Sequence, residues 1–268
     1  GVAAGGPDGV EARGGGGGVL SSQEGVDVAD GALRIPSLTE KAGRELACAR
    51  ERGVDCVALS VGQRPEGVSG ARALVGGRAS LLVKLEKPQA LDNLDAILEL
   101  TDAVMVARGD LGVELPPENV PLVQKRIIRL ARRLGKPVVV ATQMLESMST
   151  APVPTRAEVW DVATAVYEGA DAVMLSAESA AGPYPLEAVQ AMARICLGAE
   201  KHPTSKTSSH RIGKEFESCD QSIALAAMYT ANHFPGVKAI IALTESGYTP
   251  LIMSRIRSSV PIYAFSPH

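Results

Sequence analysis

At 268 residues, 46 % hydrophobic and only 3 % aromatic, the chain can bury one large core, or one core and a smaller satellite unit, built mostly from small and β-branched side chains. Its 27 Lys and Arg against 30 Asp and Glu leave a formal charge of −3, which argues against the basic footprint of a nucleic-acid-binding domain. No apolar run is long enough to span a membrane and no signal-peptide pattern is evident, so a cytoplasmic protein without a membrane partner is expected.

In chain order, the first thirty residues are Gly-rich, with Gly14 to Gly18 unbroken, and cannot form a core alone. Regular structure is expected from Ile35 onward. Ser37 or Thr39 would cap a helix running to about Arg52, and Gly53 would stop it. Strands follow at about 54–61, 81–86, 103–108, 137–142 and 172–177, with helices near 89–100, 118–134, 156–168 and 185–200. Gly135-Lys136-Pro137 and Gly169 punctuate the helix ends. From His202 to Ser209 the composition turns to Lys, Ser, Thr and Pro, as in a linker. A second α/β unit comes next: a helix near 220–233, a strand from Ala239 to Leu243, the turn Thr244-Glu245-Ser246-Gly247, a helix to about Ser258, and a strand from Ile262 to Phe265.

Strict alternation of strand and helix implies right-handed crossovers and a parallel sheet. Five such strands do not close a barrel of eight. The expected architecture is therefore a partial (β/α)8 barrel over residues 34–201, preceded by a segment of 1–33 and followed by a partial α/β domain over 202–268, as in a chain cut at both ends. Cys48, Cys56, Cys196 and Cys219 show neither CxxC nor zinc-ligand spacing, and three of them are expected as inert core thiols in a reducing compartment. The basic run from Lys125 to Arg133 has helical period and reads as a solvated or subunit-facing surface rather than a phosphate-backbone contact.

Four strands share one design: an apolar run ending abruptly in polar residues. They are Leu81-Leu82-Val83-Lys84-Leu85-Glu86, Ala103 through Arg108-Gly109-Asp110, Val138-Val139-Val140-Ala141-Thr142-Gln143, and Ala172 through Ser176-Ala177-Glu178. In an α/β barrel all such tips lie at one end, where the chemistry sits. Glu86 and Asp110, on neighbouring tips, offer two oxygen ligands with room for water and substrate, which is how Mg²⁺ is usually held. The competing reading is structural, with Glu86 paired to Arg108 and Asp110 at a helix N-terminus. Lys84 shares the strand face of Glu86, two residues away. A lysine there calls for an anion, and lysine, two carboxylates and a metal together suit a phosphorylated substrate. Gly109-Asp110-Leu111-Gly112 reads as a glycine-flanked turn whose amides could cradle an oxyanion. Thr142 is either a hydroxyl bonded to backbone or a proton carrier, and Ser176 and Glu178 close the last strand in a similar way.

These blocks, together with Thr142 through Met148, Pro154-Thr155-Arg156-Ala157-Glu158 and Met174 through Glu178, strongly resemble the pyruvate kinase family, and bacterial-type sequences in particular. The resemblance runs from about Gly17 to the end and implies that residues 1–33 are a remnant of the family's cap domain and 202–268 a part of its regulatory domain. It implies phosphoryl transfer from phosphoenolpyruvate to ADP and protonation of the enolate to pyruvate. It also implies Mg²⁺ (or Mn²⁺) on Glu86 and Asp110, and the substrate carboxylate on the amides of Gly109 and Asp110. Lys84 would offset charge on the phosphoryl group and the enolate. Thr142 would stand on the protonation side, with Ser176 and Glu178 in a supporting proton network. Arg108 and Arg156 would couple active sites across an interface of a homotetramer. Thr244, Ser246 and Gly247 resemble a loop that grips the phosphate of a sugar-phosphate or nucleotide effector, for which the alternative is an ordinary helix cap. Tyr248 stands where many relatives carry Arg. The segment after Ser60 lacks the family's usual aromatic. The family's monovalent-cation (K⁺) ligands lie in strands before residue 1. Two other functions fit the same residues: a Mg²⁺-dependent 2-keto-acid aldolase, and a non-catalytic remnant that binds or assembles.

Overall fold

The computed structural model describes residues 2–6, 9–12, 39–60, 62–202, 216 and 218–267. The Gly14–Gly18 run, Ser37 as a cap, and the linker from 203 to 209 lie outside these residues. The chain divides into two compact units, residues 1–33 and 34–268. The first contains an antiparallel pair, β1 (Val2–Gly6) with β2 (Gly9–Ala12).

The second unit opens with α1 (Glu40–Glu51). Thr39 caps it by accepting from the Ala42 amide at 3.2 Å, and Gly53, at φ +68°, turns the chain away. Five strands then form one parallel sheet in sequence order: β3 (Cys56–Leu59), β4 (Ser80–Leu85), β5 (Ala103–Ala107), β6 (Val138–Ala141) and β7 (Ala172–Met174). Lys84 pairs with Met105, Met105 with Val139, and Ala141 with Met174. Among the described residues the sheet stays open, which is the geometry of a partial (β/α)8 barrel.

Apolar side chains line both faces of this sheet, with Ser80 and Lys84 as polar exceptions in β4. One face carries Val83, Leu85, Val104, Val106, Val138 and Val140 against a helical layer holding Ile97, Leu98, Ile127 and Ile128. The other carries a thinner layer of Leu82, Met105 and Ala141 with Val139 and Met174. Lys84 projects on this second face, in register with Met105. Two aspartates set the strand starts: Asp102 Oδ2 accepts from the Leu81 amide at 2.7 Å, and Asp171 Oδ2 from the Val138 amide at 2.9 Å. Burial pushes the Asp102 carboxyl up, but the Leu81 amide and Arg72 outweigh it and hold it below the usual carboxylate range.

The helices are α2 (Pro65–Val75), α3 (Pro88–Asp92), α4 (Leu94–Leu100), α5 (Arg108–Glu114), α6 (Val120–Arg133), α7 (Arg156–Glu168), α8 (Ala177–Ala180) and α9 (Pro185–Ala199). Four features depart from the sequence reading. Helix α2 is additional; its start at Pro65, its stop at Gly76 (φ +64°) and its buried Val68, Ala71 and Val75 were all legible signals. The helix expected over 89–100 is broken at Asn93, whose side chain donates to the Gln89 carbonyl at 2.8 Å. The expected glycine-flanked turn at 109–112 is instead the body of α5. Of the cysteines, Cys48, Cys56 and Cys219 are exposed and not core thiols, whereas Cys196 is partly buried and packs against the core. On α6, Lys125, Arg126, Arg129 and Arg133 are exposed, and Gln124, Ile127, Ile128 and Ala131 face inward. No described helix is long and apolar enough to cross a membrane.

The C-terminal part pairs β8 (Ile240–Leu243) in parallel with β9 (Ile262–Phe265), packed by α10 (Cys219–His233) and α11 (Tyr248–Ile256) around Ala224, Met228, Ala242, Ile252 and Met253. Arg255 Nη1 lies 2.6 Å from Asp171 Oδ1, tying this part to the start of β7.

Candidate active site

The tips of β4, β5, β6 and β7 end at one edge of the sheet. Lys84 Nζ lies 2.5 Å from Glu86 Oε1 and 3.2 Å from Ser60 Oγ beyond β3. Glu86 is only 7 % exposed, so its charge is matched by Lys84, not by Arg108 as the structural alternative supposed. Leu85 pairs with Val106, and Asp110 occupies the first turn of the helix that starts two residues after Val106. The two carboxylates therefore sit on adjoining tips, one buried and one exposed. Asp110 also sits at a helix N-terminus, as the structural alternative required, where the dipole favours an anion.

Arg108 reaches across to the next tip. Its Nη1 bonds Asp161 on α7 at 2.8 Å, and its Nε and Nη2 donate to the Thr142 carbonyl at 3.1 and 2.7 Å. Nη2 also donates to the Gln143 carbonyl at 3.0 Å. Those two carbonyls belong to a strained turn: Thr142 has φ +68° and Gln143 φ +53°, a left-handed conformation that a β-branched residue rarely adopts. The turn swings the Thr142 hydroxyl toward α5. There Oγ1 accepts from the Gly109 amide at 2.7 Å and donates to the Ala141 carbonyl at 2.6 Å. Thr142 is thus bonded to backbone and also stands beside the residue expected to hold an oxyanion.

The loop after this turn is held by two carboxylates. Glu178, 1 % exposed, accepts from the Leu145 amide at 3.1 Å and from the Ser176 amide at 2.7 Å. Ser176 serves here through its backbone, as the N-cap position of α8. Glu158 accepts from the Ser147 amide and hydroxyl at 2.7 and 2.6 Å and closes a capping box with Thr155. The Ser/Thr-x-x-Glu spacing at Thr155–Glu158 was the available sequence signal for that anchor. Asp161, Ser60 and the pair formed by Lys87 with Glu114 had no local signal, since each partner comes from a different βα unit.

Burial pushes the Glu158 carboxyl up, but hydrogen bonds from Ser147 and Thr155 overcome this and leave it below its ordinary value. A depressed folded-state value contributes stability that is present above the unfolded value of about 4.3 and is lost as pH falls through the folded one. Glu158→Gln is therefore expected to flatten the fall in thermal midpoint between about pH 5 and pH 3. An unchanged slope would mean the carboxylate carries none of the acid sensitivity.

Residues 3–189 match the family profile described as pyruvate kinase, barrel domain, and residues 221–268 the profile described as pyruvate kinase, alpha/beta domain. This chain belongs to the pyruvate kinase family. It is 48 % identical over 256 residues to the pyruvate kinase of Haemophilus influenzae, covering 93 % of this chain and 54 % of that protein. It is 49 % identical over 258 residues to pyruvate kinase II of Salmonella typhimurium (94 % and 54 %) and 50 % identical over 251 residues to the pyruvate kinase of Methylorubrum extorquens (94 % and 52 %). The chain spans about half the length of these relatives. Within this chain the sequence-predicted residues Lys84, Glu86, Gly109, Asp110, Thr142, Ser176 and Glu178 all lie at the ends of β4 to β7 or in the turns and short helices that follow them.

The remaining predicted residues lie elsewhere. Arg156, at the exposed start of α7, makes no ion pair or hydrogen bond among the described residues, whereas Arg108 is committed within the chain. Thr244 Oγ1 accepts from the Gly247 amide at 2.9 Å and Ser246 Oγ from the Tyr248 amide at 3.3 Å, so these hydroxyls act as a turn and cap at α11. Gly247, at φ +78°, lets the chain make that turn.

Two hard carboxylate oxygens on adjoining tips suit Mg²⁺ or Mn²⁺. Among the described residues no group of three or more His, Cys, Asp or Glu converges as a metal cage. A metal on Glu86 and Asp110 would then draw its other ligands from water and substrate, as Mg²⁺ commonly does.

Proposed function

We propose that this chain carries the phosphoryl-transfer site of a cytoplasmic pyruvate kinase, moving the phosphoryl group of phosphoenolpyruvate to ADP. The observation that carries the reading is the corner formed by Lys84, Glu86 and Ser60 at the sheet edge that also carries the α5 N-terminus and Thr142. Phosphoryl transfer needs positioning and charge compensation more than covalent chemistry. Lys84 is placed to offset charge on the phosphoryl group in flight and on the enolate left behind. A Mg²⁺ held by Glu86 and Asp110 would supply Lewis-acid stabilisation of the phosphoryl oxygens. The amides of Gly109 and Asp110 would take the substrate carboxylate, which requires Thr142 Oγ1 to give up its bond from Gly109. That exchange would free an acceptor position on Thr142 Oγ1, and the hydroxyl proton, held by the Ala141 carbonyl, would turn toward the enolate, with Ser176 and Glu178 holding the neighbouring turn. K⁺, a homotetramer coupled through Arg108 and Arg156, and a phosphorylated effector at Thr244, Ser246 and Gly247 complete the proposal for the whole protein, as do the segments 34–201 and 202–268.

A coupled assay for pyruvate formation from phosphoenolpyruvate and ADP, with and without Mg²⁺, tests it. Mg²⁺-dependent turnover is the expected result; its absence would favour a piece that binds or assembles without catalysis. Thr142→Ala is expected to slow proton exchange into pyruvate by about 10²-fold, with little loss of substrate affinity. An unchanged exchange rate would remove Thr142 from the mechanism.

A further inference from the structure

The two carboxylates assigned to the metal lie on different elements, and α5, which carries Asp110, depends on tertiary ties for its orientation. It is seven residues long, has no side-chain N-cap, and buries fully only Leu111. A helix this short is not stable by itself. Tertiary ties hold it at each end. At the N-terminal end, the Gly109 amide meets Thr142, and Arg108, the first helical residue, bonds Asp161 and the Thr142 and Gln143 carbonyls. At the C-terminal end, Glu114 pairs with Lys87, and these side chains are only 5 % and 15 % exposed. A glutamate in the last turn of a helix opposes the helix dipole. Its presence there, nearly buried and matched by a lysine from another βα unit, breaks a local rule in the way functional sites do. Lys87 directly follows Glu86. One chain corner therefore presents Glu86 to the site and also grips the helix that carries Asp110.

We propose that Lys87 and Glu114 are positioning residues that set the spacing of Glu86 and Asp110, and with it the affinity for a divalent cation. This rests on the reading of Glu86 and Asp110 as the metal pair. Neither Lys87 nor Glu114 touches the cation. They act by fixing α5 against the tip of β4, in the manner of outer-layer groups around metal ligands, whose loss typically weakens binding 10- to 100-fold.

The test is Mn²⁺ binding to the 268-residue chain, read by electron paramagnetic resonance, alongside the thermal midpoint. Four variants are compared: Lys87→Met, Glu114→Gln, the double variant, and Lys87→Arg. Each single change leaves one nearly buried charge unmatched and is expected to lower the midpoint. The double variant removes both charges and is expected to recover much of that loss. The proposal requires Mn²⁺ affinity to stay at least about tenfold weaker in the double variant despite the recovered midpoint, and to return with Lys87→Arg. If the double variant recovers stability and affinity together, the pair is structural only and the proposal is overturned. Should both single variants fail to fold, the double variant and Lys87→Arg still decide the matter. If the unsubstituted chain binds no Mn²⁺ at all, the metal pair itself is wrong and the proposal falls with it.

Discussion

Lys84→Met is expected to lower pyruvate formation by about 10³-fold or more while leaving divalent-cation binding intact or slightly tighter. The side chain lies 2.5 Å from Glu86 and projects from the thinly covered face of the sheet, where a cation is costly unless it meets an anion. With substrate absent, that anion is Glu86. When the phosphoryl group arrives, the ammonium has a second and more highly charged target, and this differential interaction is what speeds a reaction. Methionine keeps the length and apolar stem of lysine and removes only the charge, so the strand should pack as before. Glu86, relieved of a competing cation, would still offer its oxygens to a metal. Turnover in the coupled assay and Mn²⁺ binding should therefore separate. If both are lost equally, Lys84 acts by holding Glu86 in place.

Arg108→Ala is expected to cost about 2–4 kcal/mol of stability and to abolish turnover even in the protein that remains folded. Arg108 closes a circuit from the end of β5 through the Thr142 and Gln143 carbonyls to Asp161 on α7. Its side chain is 10 % exposed and that of Asp161 36 %, which places the cost below that of breaking a fully buried pair. The larger consequence concerns the turn. Two successive left-handed residues each cost about 1–3 kcal/mol and persist only when their surroundings over-determine them. Without Arg108 the turn should relax toward ordinary backbone angles and carry the Thr142 hydroxyl away from Gly109. Lys cannot reproduce the fork that reaches both carbonyls and Asp161, so Arg108→Lys should recover little. The checks are denaturant unfolding for stability and proton exchange into pyruvate for the turn. A stable, exchange-competent Arg108→Ala would show that the turn holds without Arg108.

Glu158 and Glu178 show how a local pattern and a long-range contact differ in legibility. Glu158 stands three residues after Thr155, and that spacing alone announces a helix start; its second task, holding Ser147, required the fold to bring residue 147 beside it. Glu178 at the end of a strand looked like a candidate for proton transfer. The structure shows its oxygens accepting from the Leu145 and Ser176 amides, which makes it first of all a clamp on the loop that follows Thr142. Asp110 kept the position expected of it, but on a helix, because the glycines of 109–112 also permit α-helical backbone angles and Leu111 gains burial that way.

Taken by itself, the amino-acid sequence determined the order of strands and helices and which strand ends bear chemistry. Apolar runs, caps and Gly/Pro stops act over a few residues and can be seen in one dimension. It also placed Lys84 and Glu86 on one strand face, since strand side chains alternate with period two. Only the tertiary structure decided the partners: Lys84 rather than Arg108 for Glu86, Asp161 for Arg108, Glu114 for Lys87, Gly109 for Thr142. Each of these, apart from the first, joins residues more than 25 apart in the chain. Which of several nearby charges is chosen depends on side-chain direction and reach after the sheet has formed. The left-handed turn at Thr142 and Gln143 belongs with them: its strain opposes local preference and is sustained by hydrogen bonds from Arg108 at the start of α5.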